Sequence, residues 1–203
     1  SDTGQSYQAR KVLLTTGAFT NMLLAQPLPL RPKARTIVLA ELPPAESERL
    51  AEMPTLIYEN GSEPTLSHVY LLPPIEYPDG KTYLKLGGEN NPVEIIDTFE
   101  AQRDWFRSGG SAKDAAELQE MLRRLVPNLR VISFQMKPCV ITETPHGYPF
   151  IKAIEPGQVY AAVGGCGASA KSSNEIGRLA ARLAADEAWP DDLAESYFNT
   201  TGK

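Results

Sequence analysis

The sequence predicts an α+β fold, an antiparallel sheet with helices on one face, and three observations carry that expectation. Four strand-like runs, "RTIVLAEL", "TLIYEN", "HVYLLPP" and "KTYLKLGG", succeed one another at short intervals, a spacing that favours antiparallel pairing. The last two are separated by "IEYPDGK", in which Asp79-Gly80 is a hairpin turn signal. Two helical stretches then follow as a block instead of alternating with strands.

In chain order, "ARKVLLTTGAFTN" comes first. Val12 to Leu14 form a short apolar run that stops at Thr15, Thr16 and Gly17, which reads as a buried strand ending in a tight turn. A buried strand needs neighbours on both sides, and the preceding residues supply none, so the chain reads as starting in mid-fold. "LAQPLPLRPKAR" is a proline-spaced connector expected to exclude regular helix and sheet interior. After the four strands, "DTFEAQRDWFRS" and "SAKDAAELQEMLRRLVP" are expected as helices covering one face of the sheet. The second carries Leu118, Met121, Leu122 and Leu125 on one stripe, with Ser111 as its cap. Strands return with "LRVISFQMKPCVITET", "PFIKAI" and "VYAAVGG". The closing helix has Ile176, Leu179, Ala180 and Leu183 at helical spacing and Pro190 just beyond it.

Composition excludes several function classes. The 203 residues, 42% hydrophobic and 22% charged, suffice for one or two compact domains. A net charge of -5, with no Lys/Arg cluster interleaved with aromatics, argues against nucleic acid as a partner. No apolar stretch is long enough to cross a bilayer, and "SDTGQSYQARK" lacks the layout of a secretory signal, so no membrane partner is expected. Cys139 and Cys166 make neither a disulfide framework nor a metal site, and His68 and His146 lie far from both in sequence. No metal is expected, and a reducing, cytoplasmic setting fits.

One stretch stands out chemically. "GGCGASAKSS", Gly164 to Ser173, joins the last strand to the closing helix with almost no side-chain bulk. Such a loop lets backbone lie against something flat or anionic; the plain alternative is an ordinary strand-to-helix turn.

Four stretches, in order, strengthen the ligand reading. "ARKVLLTTGAFTN", "YLKLGG", "PCVITETPHGYPFI" and "VYAAVGGCGASAKSSNEIGRLAARLA" resemble the C-terminal half of FAD-dependent amine oxidases of the D-amino-acid oxidase superfamily, monomeric sarcosine oxidase and its relatives above all. The resemblance covers essentially the whole chain. It implies a substrate-binding domain over 31–150, flanked by parts of a Rossmann-like FAD-binding domain over 1–30 and 151–203, the latter holding that domain's last strands and final helix. No G-x-G-x-x-G following a strand occurs here. The grip on the ADP half of FAD is therefore expected from a missing N-terminal half, in the same or another chain, and this chain alone is expected to be inactive. The implied activity is oxidation of the C–N bond of a small amine or amino acid, with FAD as cofactor and oxygen as acceptor. A dehydrogenase using another acceptor and a flavin-free small-molecule-binding subunit are the alternatives.

The resemblance also nominates residues. It implies that Gly165, Gly167, Ala168, Ser169 and Ala170 neighbour the flavin, with Lys171 reaching the ring or a substrate carboxylate. Read without it, Lys171 is an exposed lysine at a helix start, where a cation is unfavourable unless an anion sits nearby. Gly17 and Ala18 match a turn that lies close to FAD. Lys85 matches a lysine that promotes electron transfer to oxygen, because a fixed cation stabilises the superoxide formed first. Strand alternation puts Tyr83, Lys85 and Gly87 on one face, for which a solvated outer face is the default explanation. Cys139 falls where the sarcosine oxidase branch attaches FAD through a cysteine sulfur; not every member makes that bond, and an isolated cysteine is otherwise a small core residue. Tyr70 matches a substrate-pocket tyrosine. Ile141 and Glu89 depart from the pattern, standing where sarcosine oxidase has a tyrosine and a histidine, so the substrate need not be sarcosine. Glu89 is read as a partner for a substrate ammonium or as an exposed loop carboxylate. Cys166 and His146 are read as structural.

Overall fold

A computed structural model describes residues 4–59, 66–90, 92–190 and 192–199, except for the side chains of Ser67 and Asn90. Eight strands and five helices run through these residues. The strands are β1 (Val12–Leu14), β2 (Arg31–Glu41), β3 (Leu56–Glu59), β4 (Leu66–Glu76), β5 (Thr82–Asn90), β6 (Ser133–Glu143), β7 (Phe150–Glu155) and β8 (Val159–Val163). The helices are α1 (Pro44–Arg49), α2 (Phe99–Ser108), α3 (Ala112–Leu125), α4 (Ser173–Ala184) and α5 (Ser196–Asn199). They form two compact units: the described residues of Ser1–Pro32 with Ile141–Lys203, and those of Lys33–Val140.

The second unit is built on a five-stranded sheet in the order β3-β4-β5-β2-β6. The β3–β4, β4–β5 and β5–β2 pairs are antiparallel. The expected turn joins β4 to β5, with Gly80 in the left-handed region at φ 74° and its N–H donating to Tyr77 O. One face of this sheet is apolar: Val38 and Ala40 of β2, Val69 and Leu71 of β4, and Leu84 and Leu86 of β5 are buried. They pack with Leu118, Met121 and Leu122 of α3, the stripe its 3.6-residue period predicts. Ser111 caps α3 by accepting from Asp114 N, and Thr98 caps α2 by accepting from Ala101 N.

The first unit carries a three-stranded sheet in the order β1-β8-β7, with β1 parallel and β7 antiparallel to β8. Helix α4 lays Leu179 and Ala180 against Ile151 of β7 and Phe198 of α5, with Ile176 and Leu183 beside them.

Two expectations need correction. β1 is a strand but not a buried one: Val12 is 44% and Leu13 37% exposed, because β1 has a sheet partner on one side only among the described residues. The proline connector ends sooner than expected, since β2 starts at Arg31; Pro32 sits near the strand start, where its missing N–H costs no central ladder bond. β4 runs through Pro73 and Pro74, as the run "HVYLLPP" implies, and its register with β5 shifts there, between Leu72 and Ile75. The helices α1 and α5 and a 3-10 turn at Gly17–Leu23 are too short for periodicity to reveal.

Candidate functional site

The nominated residues fall into two groups, one in each unit. The first lies on the face of the five-stranded sheet opposite α3. Register fixes it: Tyr70 pairs with Gly87, Leu72 with Lys85, and His68 with Glu89 across β4 and β5, while Ile37 pairs with Gly87 and Leu39 with Lys85 across β2 and β5. Because successive side chains alternate, Tyr70, Lys85, Gly87 and Glu89 share this face. It is not the solvated surface that alternation alone suggests, since Tyr83 is 1% and Leu39 4% exposed, and Lys85 and Tyr70 are half-buried.

Lys85 and Tyr70 touch. The ammonium lies over the Tyr70 ring, 5.7 Å from its centroid, a cation–π contact. Burial, and then the nearby Cys139 thiol, push the Tyr70 phenol up to about 12, so it is a neutral hydrogen-bond donor at ordinary pH. Cys139 is half-buried and carries a free thiol, and its carbonyl accepts from Trp105 Nε1 at 2.9 Å. Four of the nominated residues, Tyr70, Lys85, Glu89 and Cys139, thus belong to this unit.

Glu89 is neither a loop residue nor a free carboxylate. It sits in β5, and its Oε1 accepts from Arg35 Nη2 at 2.7 Å, with Lys33 Nζ 3.5 Å away. Arg35 is only 5% exposed. Sequence reasoning missed it, although the signal was present: in "ARTIVLAEL" its parity matches that of Ile37 and Leu39. The far end of the face is closed by a polar network. Glu41 accepts from Ser133 Oγ at 2.7 Å and Lys81 Nζ at 3.0 Å, while the Tyr83 hydroxyl donates to Asp79 and accepts from Gln135.

The second group lies at one end of the three-stranded sheet. β1 and β8 are parallel neighbours, so the segments following their carboxyl ends emerge side by side, the place where open α/β sheets hold ligands. After β1 come Gly17, at φ 56°, and buried Ala18; after β8 comes Gly164 to Ser172. Gly167, Ala168, Ala170 and Lys171 are exposed and Gly165 and Ser169 half-buried. The loop is stiffened from within: Ser169 Oγ donates to Gly165 O at 2.8 Å, Ser173 Oγ to Ala170 O at 3.0 Å, and Cys166 N to Thr142 O at 3.0 Å. Ser172, the N-cap of α4, makes no side-chain cap bond, so the first N–H groups of that helix receive no side-chain acceptor from it. Lys171 precedes this positive helix end. Ile141 packs under Gly167, where an added Cβ would meet its Cδ1 at 3.3 Å.

Cys166 and His146 are both tied into their surroundings within this unit. Cys166 Sγ donates to Gly164 O at 3.2 Å. His146 Nδ1 accepts from Tyr148 N at 3.2 Å, its ring packs edge-on against Phe150, and burial pulls its pKa down. Among the described residues no cluster of ligating side chains is suited to a metal, and no helix is long and apolar enough to cross a membrane.

The sequence profile of the family described as DAO, FAD dependent oxidoreductase, matches residues 1–183. No curated protein matches the chain. Among solved structures, fructosyl peptide oxidase from E. terrenum aligns with a TM-score of 0.66 at 19% identity, over 97% of this chain and 45% of that one. Fructosyl amine:oxygen oxidoreductase (Amadoriase I) from Aspergillus fumigatus aligns at 0.65 and 19%, over 96% and 44%. Glycine oxidase from Geobacillus kaustophilus aligns at 0.60 and 18%, over 97% and 46%. The chain spans less than half the length of each of these proteins.

Proposed function

Given that this chain belongs to the DAO family of FAD-dependent oxidoreductases, we propose that it supplies the substrate face and flavin-facing loops of an enzyme that oxidises the C–N bond of a small amine or amino acid, with oxygen as acceptor. The observation that carries the reading is the placement of a cation, a neutral phenol and a carboxylate, Lys85, Tyr70 and Glu89, on one half-buried sheet face, the first two in contact. These groups suit a substrate that offers a hydrogen-bond acceptor to Tyr70 and an amine N–H to Glu89.

The loop of the other unit fits the ring of FAD. Its exposed stretch is nearly free of side chains and leads into a helix whose N-cap, Ser172, makes no side-chain cap bond, which suits a flat group that takes on negative charge. Gly165, Gly167, Ala168, Ser169 and Ala170 would line that ring together with Gly17 and Ala18, and Lys171 would supply a charge to the ring or to a substrate carboxylate. Cys139 is the thiol that would carry a covalent link. When bound, FAD supplies the two-electron acceptor for the C–N bond. Tyr70 and Glu89 orient the amine, and Lys85 holds positive charge where oxygen acquires its first electron.

The test uses the complete protein loaded with FAD, and glycine, N-methylglycine and D-alanine as probes. Anaerobic bleaching of the flavin by at least one of them, followed by peroxide release on admitting air, is the expected result. Bleaching without peroxide replaces oxygen by another acceptor, and a complete protein that takes up no flavin sinks the reading. Colour retained by acid-precipitated protein, and lost in Cys139→Ala, is expected if the link is made through that thiol.

A further inference from the structure

Gly87 lies in the middle of β5, where glycine weakens a strand and has to be justified by something approaching its backbone closely. Its φ is outside the left-handed region, so backbone conformation does not demand glycine there. The side chain of Tyr70 does. A Cβ added at Gly87 would meet Tyr70 Oη at 2.5 Å, Cζ at 2.6 Å and Cε1 at 2.7 Å, and its three nearest neighbours all belong to that phenol. The ring lies down across its cross-strand partner, over bare main chain.

We propose that Gly87 is the positioning residue that keeps Tyr70 flat and thereby sets how large an amine substituent the sheet face accepts. Any side chain at position 87 lifts the ring away from the sheet, into the space above it, and changes its placement against the Lys85 ammonium that now lies over it. The neighbouring Gly88 does something different: an added Cβ there would meet His68 O, Val69 and Leu66, so its constraint is set by backbone and core. The inference rests on the reading that the Tyr70 face takes substrate.

The experiment is a cycle of Gly87→Ala, Tyr70→Ala and the double variant in the complete FAD-loaded protein, read by melting temperature and by KM for glycine, N-methylglycine and N-benzylglycine. Gly87→Ala is expected to lower the melting temperature by about 5 °C with Tyr70 present and by far less with Ala at position 70. Its KM for N-benzylglycine is expected to rise about tenfold more than its KM for glycine. Equal melting losses in the two backgrounds would remove the ring contact as the reason for glycine. A KM change in Tyr70→Ala but none in Gly87→Ala would overturn the inference while leaving the substrate face standing. No KM change in Tyr70→Ala for any probe would overturn the substrate reading itself, and the inference with it.

Discussion

Arg35 and Glu89 face each other across β2 and β5, and their exposures differ: the guanidinium side chain is 5% exposed and the carboxylate side chain 40%. The cost of losing the partner therefore falls on the arginine, whose Nε already has no hydrogen-bond partner. Glu89→Gln is expected to destabilise by about 2 kcal/mol, and adding Arg35→Met is expected to recover part of that loss. Denaturant midpoints of the single and double variants check this; an unchanged midpoint for Glu89→Gln means that something else neutralises Arg35.

Lys85 is expected to act on oxygen more than on substrate. In the complete enzyme, Lys85→Met should slow reoxidation by roughly a hundredfold while changing anaerobic flavin reduction much less. Stopped-flow measurement of the two half-reactions separates these effects, and equal slowing of both would take Lys85 out of the role.

Gly164 has two reasons to be glycine. Its φ is 81°, and an added Cβ would collide with Thr144 Cγ2. Gly164→Ala is expected to cost about 3 kcal/mol, and Thr144→Ala in the same background is expected to relieve the clash but not the backbone strain. Thermal melts of the pair report the split; full recovery would show that φ contributes nothing.

Glu46 gives a pH dependence of stability in the second unit. Its side chain is fully buried, and Arg49, ahead of Arg130, holds its carboxyl at about 2 against an ordinary 4.5. A depressed carboxylate stabilises the fold above its unfolded pKa and ceases to do so as pH falls through the folded value. Stability should therefore be full above about pH 5 and decline toward pH 2. The contribution is on the order of 2 kcal/mol, reduced because both guanidinium groups reach solvent. Glu46→Gln should remove this part of the acid limb, and an unaltered limb in equilibrium unfolding from pH 6 to pH 3 would refute the assignment.

Much of this arrangement was legible in the residues. Period-2 alternation in "KTYLKLGG" suffices to put Lys85 and Gly87 on one face and Leu84 and Leu86 on the other, and the 3.6-residue stripe of α3 identifies what covers the latter. The bare loop at Gly164 to Ser173 announces itself by composition. The pairing of Glu89 with Arg35 was not legible, because they are 54 residues apart and nothing local states which strand lies beside β5. The exposure of β1 escaped for a related reason: an apolar triplet reports that a strand prefers burial, not whether a neighbour covers it.

Local pattern alone, then, determined the positions of the strands and of the three longer helices, the Ser111 cap, the hairpin at Asp79-Gly80 and the small-residue loop, since each depends on interactions within a few residues. Tertiary structure decided strand order and register, and with them which side chains meet: Tyr70 lying on Gly87, Lys85 over that ring, Arg35 against Glu89. Those contacts are made across strands, and a register slip of one residue would turn each side chain to the opposite face.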